Sequence, residues 1–184
     1  MKSILWAVPF AIVAATGCQH LKTEPHYNSE AAMSKAYEGM RNEFGSKPIQ
    51  VLSILTFYND KSGAITSFTV ADKNNPAEIV KYNYNDDMWS GPEPVQVMNN
   101  GTETKDYLFD LGTVSPATIV KVAQEALKAC QAYGNAIIEN IDIRNEDPLQ
   151  KNITQQVHIK VYLKTDSGNK TYSTDASGAF LQLQ

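Results

Sequence analysis

The sequence predicts an α+β fold made of two tandem units, each a helix followed by an antiparallel sheet. Two capped segments with apolar residues at helical spacing predict the helices. The stretches that follow them alternate apolar and polar residues, as strands do. The apolar positions of the two helices coincide when the chain is shifted by 86 residues. This repetition predicts a first unit at 29–104 and a second, with a linking segment, at 105–184, packed as one domain.

Both predicted helices have clear start and stop signals. The first begins near Ser29, whose hydroxyl can cap it, and ends before Gly45. The second begins at Ser115, with Pro116 in its first turn, and ends before Gly134. Counted from each serine, apolar residues occupy matching positions, which we expect to face the sheet. They are Met33, Ala36, Tyr37, Met40 and Phe44 in the first helix and Ile119, Val122, Ala123, Ala126 and Cys130 in the second.

The strands of the first unit follow its helix. Residues 49–58 are apolar on both faces. We therefore expect a central strand, with a helix on one face and segment 106–111 on the other. Strands are predicted near 65–70 and 79–84, and residues 86–91 are expected to form a loop.

The second unit has the clearest strand pattern in the chain. Residues 153–163 alternate apolar and polar side chains, so one face of this strand is expected to be buried and the other wet. Turn signals at 166–169 and 175–178 lead into strands near 171–174 and 179–183. The unit is therefore predicted to end in two successive hairpins.

The N-terminus has the form of a secretory signal. One basic residue, Lys2, precedes an uncharged run at 4–16, and small residues follow. The run is shorter than the roughly 20 apolar residues that span a bilayer. We expect residues 1–17 to be a signal peptide. Residues 18–28 are polar and interrupted by Pro25, which predicts a tether between this signal and the fold.

The end of the signal carries a recognisable motif. Ala15-Thr16-Gly17-Cys18 resembles the lipobox of bacterial lipoproteins. The resemblance implies that Cys18 is lipidated, for instance with palmitate, and that a membrane is a partner. Gln19 stands where lipoproteins of the inner membrane often carry aspartate, so the resemblance favours an outer membrane and the periplasm in a Gram-negative cell. The alternative is ordinary signal cleavage with a free Cys18.

Charge and cysteine content restrict the partners further. The chain has a net charge of −4, which becomes −5 when Lys2 is removed with the signal, leaving 15 basic against 20 acidic residues. Nucleic acid is therefore not an expected partner. The two cysteines, Cys18 and Cys130, do not form a disulfide framework. Cys130 lies on the apolar stripe of the second helix, where we expect a small buried side chain.

Enzyme signatures are absent from the sequence. It has no nucleophile-elbow, zinc-helix, phosphate-loop or dinucleotide motif, so we expect no catalytic residues, no metal site and no cofactor. The acidic groups Asp86-Asp87 and Asp142, Glu146 and Asp147 are interpreted as solvated loop charges. A small hydrolase of atypical type, using His158, is kept as an alternative.

The second unit also resembles a known family. Residues 172–181, with Asp175 and Gly178, resemble the closing hairpin of PepSY-type domains, and the resemblance extends over residues 115–184. The tandem arrangement is similar to that of secreted beta-lactamase inhibitory proteins, whose repeats form a sheet that grips an enzyme. Both resemblances imply a protein that binds, and restrains or modulates, another protein of the envelope.

Two sets of residues are candidates for contact with such a partner. Trp89, with nearby Tyr82 and Tyr84, forms an aromatic group on the predicted loop. The alternative for Trp89 is a ring that folds back to close the core. The second set is the wet row of Gln156, His158, Lys160 and Tyr162. The expected function is non-catalytic binding of an envelope protein, with a structural accessory of an envelope assembly complex as the alternative.

Overall fold

The computed structural model describes residues 24–85, 87–97, 103–146 and 156–184 of the chain, and it confirms the α+β class. The α-helices are α1 (Glu30–Phe44) and α2 (Pro116–Ala129). The strands are β1 (Gln50–Asn59), β2 (Gly63–Ala71), β3 (Ile79–Asn85), β4 (Met88–Pro94), β5 (Phe109–Asp110), β6 (Ala136–Asn145), β7 (Val157–Thr165), β8 (Gly168–Asp175) and β9 (Phe180–Leu183). Within the described ranges, no helix has the length and hydropathy needed to cross a membrane.

All the strands belong to one antiparallel sheet. Its order is β4-β3-β2-β1-β6-β7-β8-β9, so β1 lies in the middle, as its apolar sequence predicts. The expectation for segment 106–111 is wrong. Instead of covering a face of β1, Phe109 and Asp110 pair with Val51 and Gln50 along its edge. Backbone pairing with the edge of β1 and burial of the Phe109 and Leu111 side chains therefore hold this segment in place.

The helices form as their capping residues predict. The hydroxyl of Ser29 accepts a hydrogen bond from the Ala32 amide at 3.3 Å, and that of Ser115 accepts one from the Thr118 amide at 3.1 Å. After α1, Gly45 takes a positive φ of 62°, which a residue with a side chain adopts poorly. The matching apolar positions of both helices are all buried, so each helix turns its apolar stripe toward the sheet.

One face of the sheet forms the core with both helices. Alternate strand residues point toward the helices and are almost completely buried. They include Val51 and Ile54 in β1, Phe68 and Val70 in β2, Tyr82 and Tyr84 in β3, Ile141 and Ile143 in β6, and Ile159, Val161 and Leu163 in β7. Burying each such side chain contributes about 1.5–3 kcal/mol, so this layer supplies most of the driving force for folding.

The opposite face of the sheet, here called the open face, is covered by neither helix. Most of its residues are polar, but Leu55 and Phe57 of β1, Ile65 of β2 and Tyr162 of β7 are apolar or aromatic and only partly buried. An antiparallel sheet commonly leaves one face to water. Apolar side chains at the middle of such a face distinguish it from a purely solvated surface.

The predicted tether is shorter than expected, because its last residues belong to the fold. His26–Asn28 form a short 3-10 helix in which His26 and Tyr27 are buried. The Nδ1 of His26 lies 2.9 Å from the Thr66 hydroxyl, and the Tyr27 hydroxyl donates to the Ile138 carbonyl at 3.2 Å. These contacts tie the segment to β2 and β6, the two strands on either side of β1. The predicted signal peptide, Cys18 and the rest of the tether to residue 23 lie outside the described residues.

Candidate functional site

The first predicted binding set lies in the core, which corrects that interpretation. Tyr82 and Tyr84 face the helices and are 2% and 4% exposed. Trp89 lies in strand β4 rather than in a loop, and its ring is partly buried, 5.9 Å from that of Phe68 and 5.3 Å from that of Tyr84. The alternative interpretation, in which the Trp89 ring folds back and closes the core, is therefore the correct one. Buried tyrosines are not accessible to a partner.

A glycine in α1 explains how the indole fits. Gly39 lies directly against the Trp89 ring, and a Cβ at this position would overlap the indole. The bare helix backbone thus accommodates a ring that a larger residue would push outward. Trp89 packs between α1 and the aromatic side chains of β2 and β3, and its role here is to stabilise the first half of the molecule.

The second predicted set does lie on the open face. His158, Lys160 and Tyr162 alternate along β7 with the buried residues, as the sequence predicts, and Gln156 precedes the strand and is exposed. The three strand residues are only partly buried, and β7 pairs with β6, where His158 lies opposite Arg144 and Lys160 opposite Asp142. Only Tyr162 is shown to share a pocket with the apolar side chains of β1. That they contact a partner stays a prediction.

A carboxylate at the end of β6 links two residues of this row. Glu146 Oε1 lies 2.9 Å from Lys160 Nζ and 2.9 Å from His158 Nδ1. The Lys160 ammonium, which donates a hydrogen bond, and the neighbouring His158 hold the pKa of Glu146 below its ordinary value. Glu146 therefore keeps its charge in mildly acidic solution and fixes the two side chains of β7 in position.

Asp142 was expected to be a solvated loop charge, but it lies within β6 with its side chain only 4% exposed. Arg144, two residues along the same face, donates a hydrogen bond from Nη2 to Asp142 Oδ2. A buried carboxylate needs such a partner, because desolvation disfavours its charged form. The Arg144 side chain is 58% exposed, so the aspartate orients a guanidinium whose other donors face solvent.

Asp142 and Arg144 line a shallow pocket of about 480 Å³ on the open face. Leu55, Phe57 and Tyr162 supply its apolar and aromatic lining. Its charged side consists of Glu139, Asp142 and Arg144. The pocket lies where β1 and β6 pair, at the middle of the sheet. An apolar surface beside an oriented arginine is the composition found at the centres of protein interfaces.

Other chemistry is limited in the described part of the chain. It contains no group of three histidine, cysteine, aspartate or glutamate side chains that could hold a metal ion. Cys130 is a buried free thiol, and burial raises its pKa, which makes it a poor nucleophile. Comparison of the chain with protein-family models, curated proteins and solved structures finds no match. Interpretation of its function therefore rests on the N-terminal motif and on the open face.

Proposed function

We propose that the chain is a lipid-anchored, non-catalytic protein of the bacterial envelope that binds another envelope protein through the open face of its sheet. The carrying observation is the pocket between β1 and β6, where Leu55, Phe57 and Tyr162 stand beside the oriented Arg144. Partly exposed apolar side chains at the centre of a polar sheet face need a reason, and contact with another protein supplies one.

The geometry of Arg144 supports binding rather than simple solvation. Its partner Asp142 lies in the rigid sheet, so the guanidinium loses little further freedom when it binds. Lys160 and His158 are held in the same way by Glu146, to one side of the pocket. The result is an apolar centre flanked by positioned polar groups, which matches the organisation of energetically important interface regions.

The two halves of the chain support the proposal of tandem units. Each helix is followed by a meander of four strands, and the capping serines Ser29 and Ser115 are 86 residues apart. The bulges that follow Val51 in β1 and Ile138 in β6 are 87 residues apart. Leu55 pairs with Asp142, which also lies 87 residues later. An approximate two-fold relation between the halves would pass through this pair, beneath the pocket.

The resemblances to binding families are compatible with this arrangement. In the turn after β8, Asp175 accepts hydrogen bonds from the amides of Ser177 at 2.8 Å and Ala179 at 3.0 Å, which accounts for the aspartate in the PepSY-like segment 172–181. A single sheet shared by two helix-led halves is the arrangement expected from the similarity to secreted beta-lactamase inhibitory proteins. Both families bind proteins, and we extend that role to the open face.

The membrane anchor rests on the lipobox-like motif at Cys18. The fold begins close behind it, since His26 is already buried. The eight residues from Cys18 to His26 reach at most about 28 Å. A lipid on Cys18 would therefore keep the domain close to the membrane surface, where the partner is an envelope protein.

Photocrosslinking in intact cells tests the binding face. A photoreactive phenylalanine analogue at Tyr162 is expected to capture a protein in a discrete adduct, which mass spectrometry identifies. The same analogue at Gln124, an exposed residue of α2, serves as the control. Absence of an adduct at Tyr162, or equal adducts at both positions, would contradict the proposed face. A stoichiometric complex that survives detergent extraction would favour the alternative of a structural accessory.

Metabolic labelling tests the anchor. Cells that express the wild-type chain are expected to incorporate radiolabelled palmitate into it, and Cys18→Ala is expected to abolish the label. Fractionation should then find the wild type with the outer membrane in a Gram-negative host and the variant in the soluble periplasmic fraction. Equal labelling of both chains would refute lipidation at Cys18 and leave the open face to be judged separately.

A small hydrolase remains a second candidate because of one observation. His158 Nδ1 lies 2.9 Å from Glu146 Oε1. A carboxylate-oriented imidazole is the arrangement of a general base. The test is turnover of ester or peptide substrates by the purified chain. Activity that His158→Ala abolishes would support this candidate, and its absence in both proteins favours binding alone.

A further inference from the structure

The pocket on the open face keeps one negative charge that the protein itself does not neutralise. Three charged residues line it, Glu139, Asp142 and Arg144. Arg144 and Asp142 form an ion pair, so their charges cancel. Glu139 is exposed and has no ion pair or hydrogen bond with any residue that the structure describes. The lining therefore presents one carboxylate that a group from outside the chain can neutralise.

Two aromatic rings stand on either side of this pocket. Phe57 of β1 and Tyr162 of β7 both lie opposite Asn140 of β6, which separates them. Their backbones are two strand spacings apart, roughly 9–10 Å. All three side chains line the pocket, so the rings flank the Asn140 amide. A gap of this width admits a slender chain of methylene groups, and the face of an aromatic ring attracts a cation.

We propose that the pocket receives a basic side chain, lysine or arginine, from the surface of the protein that binds the open face. Its methylene stem packs against Phe57 and Tyr162, and its cationic end meets the Glu139 carboxylate. The net charge of the whole chain, −4, attracts a basic partner at longer range as well. The inference rests on the proposed function, because it names the chemistry of the partner that uses this face.

An acidic side chain is the opposite candidate, since Arg144 has donors that face solvent. The Asp142 carboxylate already balances the charge of the guanidinium, however, and Glu139 repels a further carboxylate at the pocket. The remaining donors of Arg144 can bind neutral acceptors, such as the backbone carbonyl groups next to the basic residue. The charges of the lining therefore favour a cation.

The lysines of β7 do not alter this balance. Lys160 Nζ lies 2.9 Å from Glu146 Oε1, which neutralises it. Lys164 is exposed near the end of the strand, opposite Ile137, and does not line the pocket. The described lining thus contains no cation without a counter-ion, and a basic side chain meets no uncompensated positive charge there.

Short peptides test the inference on the purified chain, without the cellular partner. The probe is acetyl-Gly-Gly-Lys-Gly-Gly-amide, and matched peptides carry norleucine or glutamate in place of lysine. The nuclear magnetic resonance signals of the Asn140 side-chain amide report occupation of the pocket. We expect the lysine peptide to shift them clearly more than the norleucine peptide, and the glutamate peptide to leave them unchanged. In Glu139→Gln the affinity for the lysine peptide should fall about fivefold.

The same titrations contain the results that would overturn the inference. An equal response to lysine and norleucine would mean that the ammonium group contributes nothing. A stronger response to glutamate would identify Arg144 as the residue that selects the ligand. An unchanged affinity of Glu139→Gln for the lysine peptide would remove the carboxylate from the contact.

Photocrosslinking in cells separates this inference from the proposed function. With the photoreactive phenylalanine analogue at Tyr162, which keeps a ring at that position, Glu139→Lys should lower the adduct yield about tenfold. Glu38→Lys makes the same change in total charge at an exposed position of α1 and should leave the yield unchanged. Urea unfolding verifies that both variants fold.

The two possible failures differ in what they overturn. Undiminished capture by the Glu139→Lys chain, or an equal loss in Glu38→Lys, would refute the basic contact and leave the open face as the binding surface. Absence of any Tyr162 adduct with the wild-type pocket would refute the proposed function and this inference together.

Discussion

The two halves of the molecule share an arrangement of helix and strands, but they fill their cores differently. Aromatic rings dominate the first half, where Phe68, Tyr82, Tyr84 and Trp89 pack beneath α1. Aliphatic residues dominate the second, where β7 contributes valine, isoleucine and leucine beneath α2. Large rings need a matching shape, whereas aliphatic side chains repack more freely. The first half should therefore respond more sharply to a change in a single contact.

The largest expected effect is that of Trp89→Ala. Removal of the ring from the aromatic cluster should lower the free energy of unfolding by about 3–5 kcal/mol. The neighbouring Met88 is 68% exposed, and Met88→Ala should change it by less than about 0.5 kcal/mol. Urea denaturation measures both. If Trp89→Ala lowers the free energy of unfolding by less than about 1 kcal/mol, the ring contributes little to the core. The interpretation of Trp89 as a contact for a partner would then be the better one.

The next effect isolates the fit between helix and ring. Gly39→Val inserts a side chain into the position of the Trp89 indole and should destabilise the protein by about 1–3 kcal/mol. The matched control is Glu125→Val, at the position in α2 that lies 86 residues later. At that position the substitution should lower the free energy of unfolding by less than about 1 kcal/mol, because only the difference in helix propensity between the two residues is lost. Equal effects on the thermal midpoint would contradict the difference between the halves.

At the seam between the halves, Arg144→Ala should cost about 1–3 kcal/mol in the free energy of unfolding. The substitution leaves the buried Asp142 carboxylate without its donor. The double variant Arg144→Ala with Asp142→Ala removes both charges and should recover part of the loss. A double-mutant cycle by urea denaturation measures the coupling. Additive effects would mean that Asp142 does not orient Arg144, which would weaken the case for the pocket.

The smallest effect concerns pH and belongs to the second half. Lys160 and His158 hold the pKa of Glu146 below its ordinary value of 4.5 in the folded protein. Its stabilising contribution is therefore complete above the unfolded-state pKa and is lost as the pH falls through the folded-state pKa. At pH 7 the free energy of unfolding of the wild type should exceed that of Glu146→Gln by less than about 1 kcal/mol. In strong acid the two free energies should be equal. Chemical denaturation at a series of pH values from 7 to strong acid measures this difference in the free energy of unfolding. Lys160→Gln should flatten the pH dependence in the same way.

Both helix starts and the end of the first helix could be predicted almost residue by residue because their signals are local. The predicted end of the second is wrong by one turn, since α2 ends at Ala129 and the 3-10 turn Cys130–Tyr133 fills the space before Gly134. Ser29, Ser115 and Pro116 set the first turns, and the spacing of buried residues follows from the helix itself. The polar row of β7 could be predicted for the same reason, since alternation fixes which residues share a face, although its members are partly buried rather than fully wet. Local patterns do not say which elements pair, however. The meeting of β1 with β6 joins residues far apart in the chain.

The candidate site was only partly predictable. Tyr82 and Tyr84 alternate with Lys81 and Asn83, a pattern that already indicates a buried aromatic face, but their proximity to Trp89 favoured an exposed group. The burial of Asp142 could not be predicted, because charged residues are rarely buried without a partner. Only the structure shows that Arg144 supplies this partner by donating a hydrogen bond to it. The pocket depends on three strands and follows from tertiary structure alone.

The pairing of β1 with β6 has a consequence for how the chain reaches its native state. Until β6 is available, β1 has an open side, and its apolar residues can associate with other unfolded chains. Closure must bring together segments separated by some 87 positions, which slows folding relative to hairpin formation. The N-terminal half is therefore prone to aggregation until β6 of the C-terminal half pairs with β1. Assistance from a chaperone would matter most during that interval.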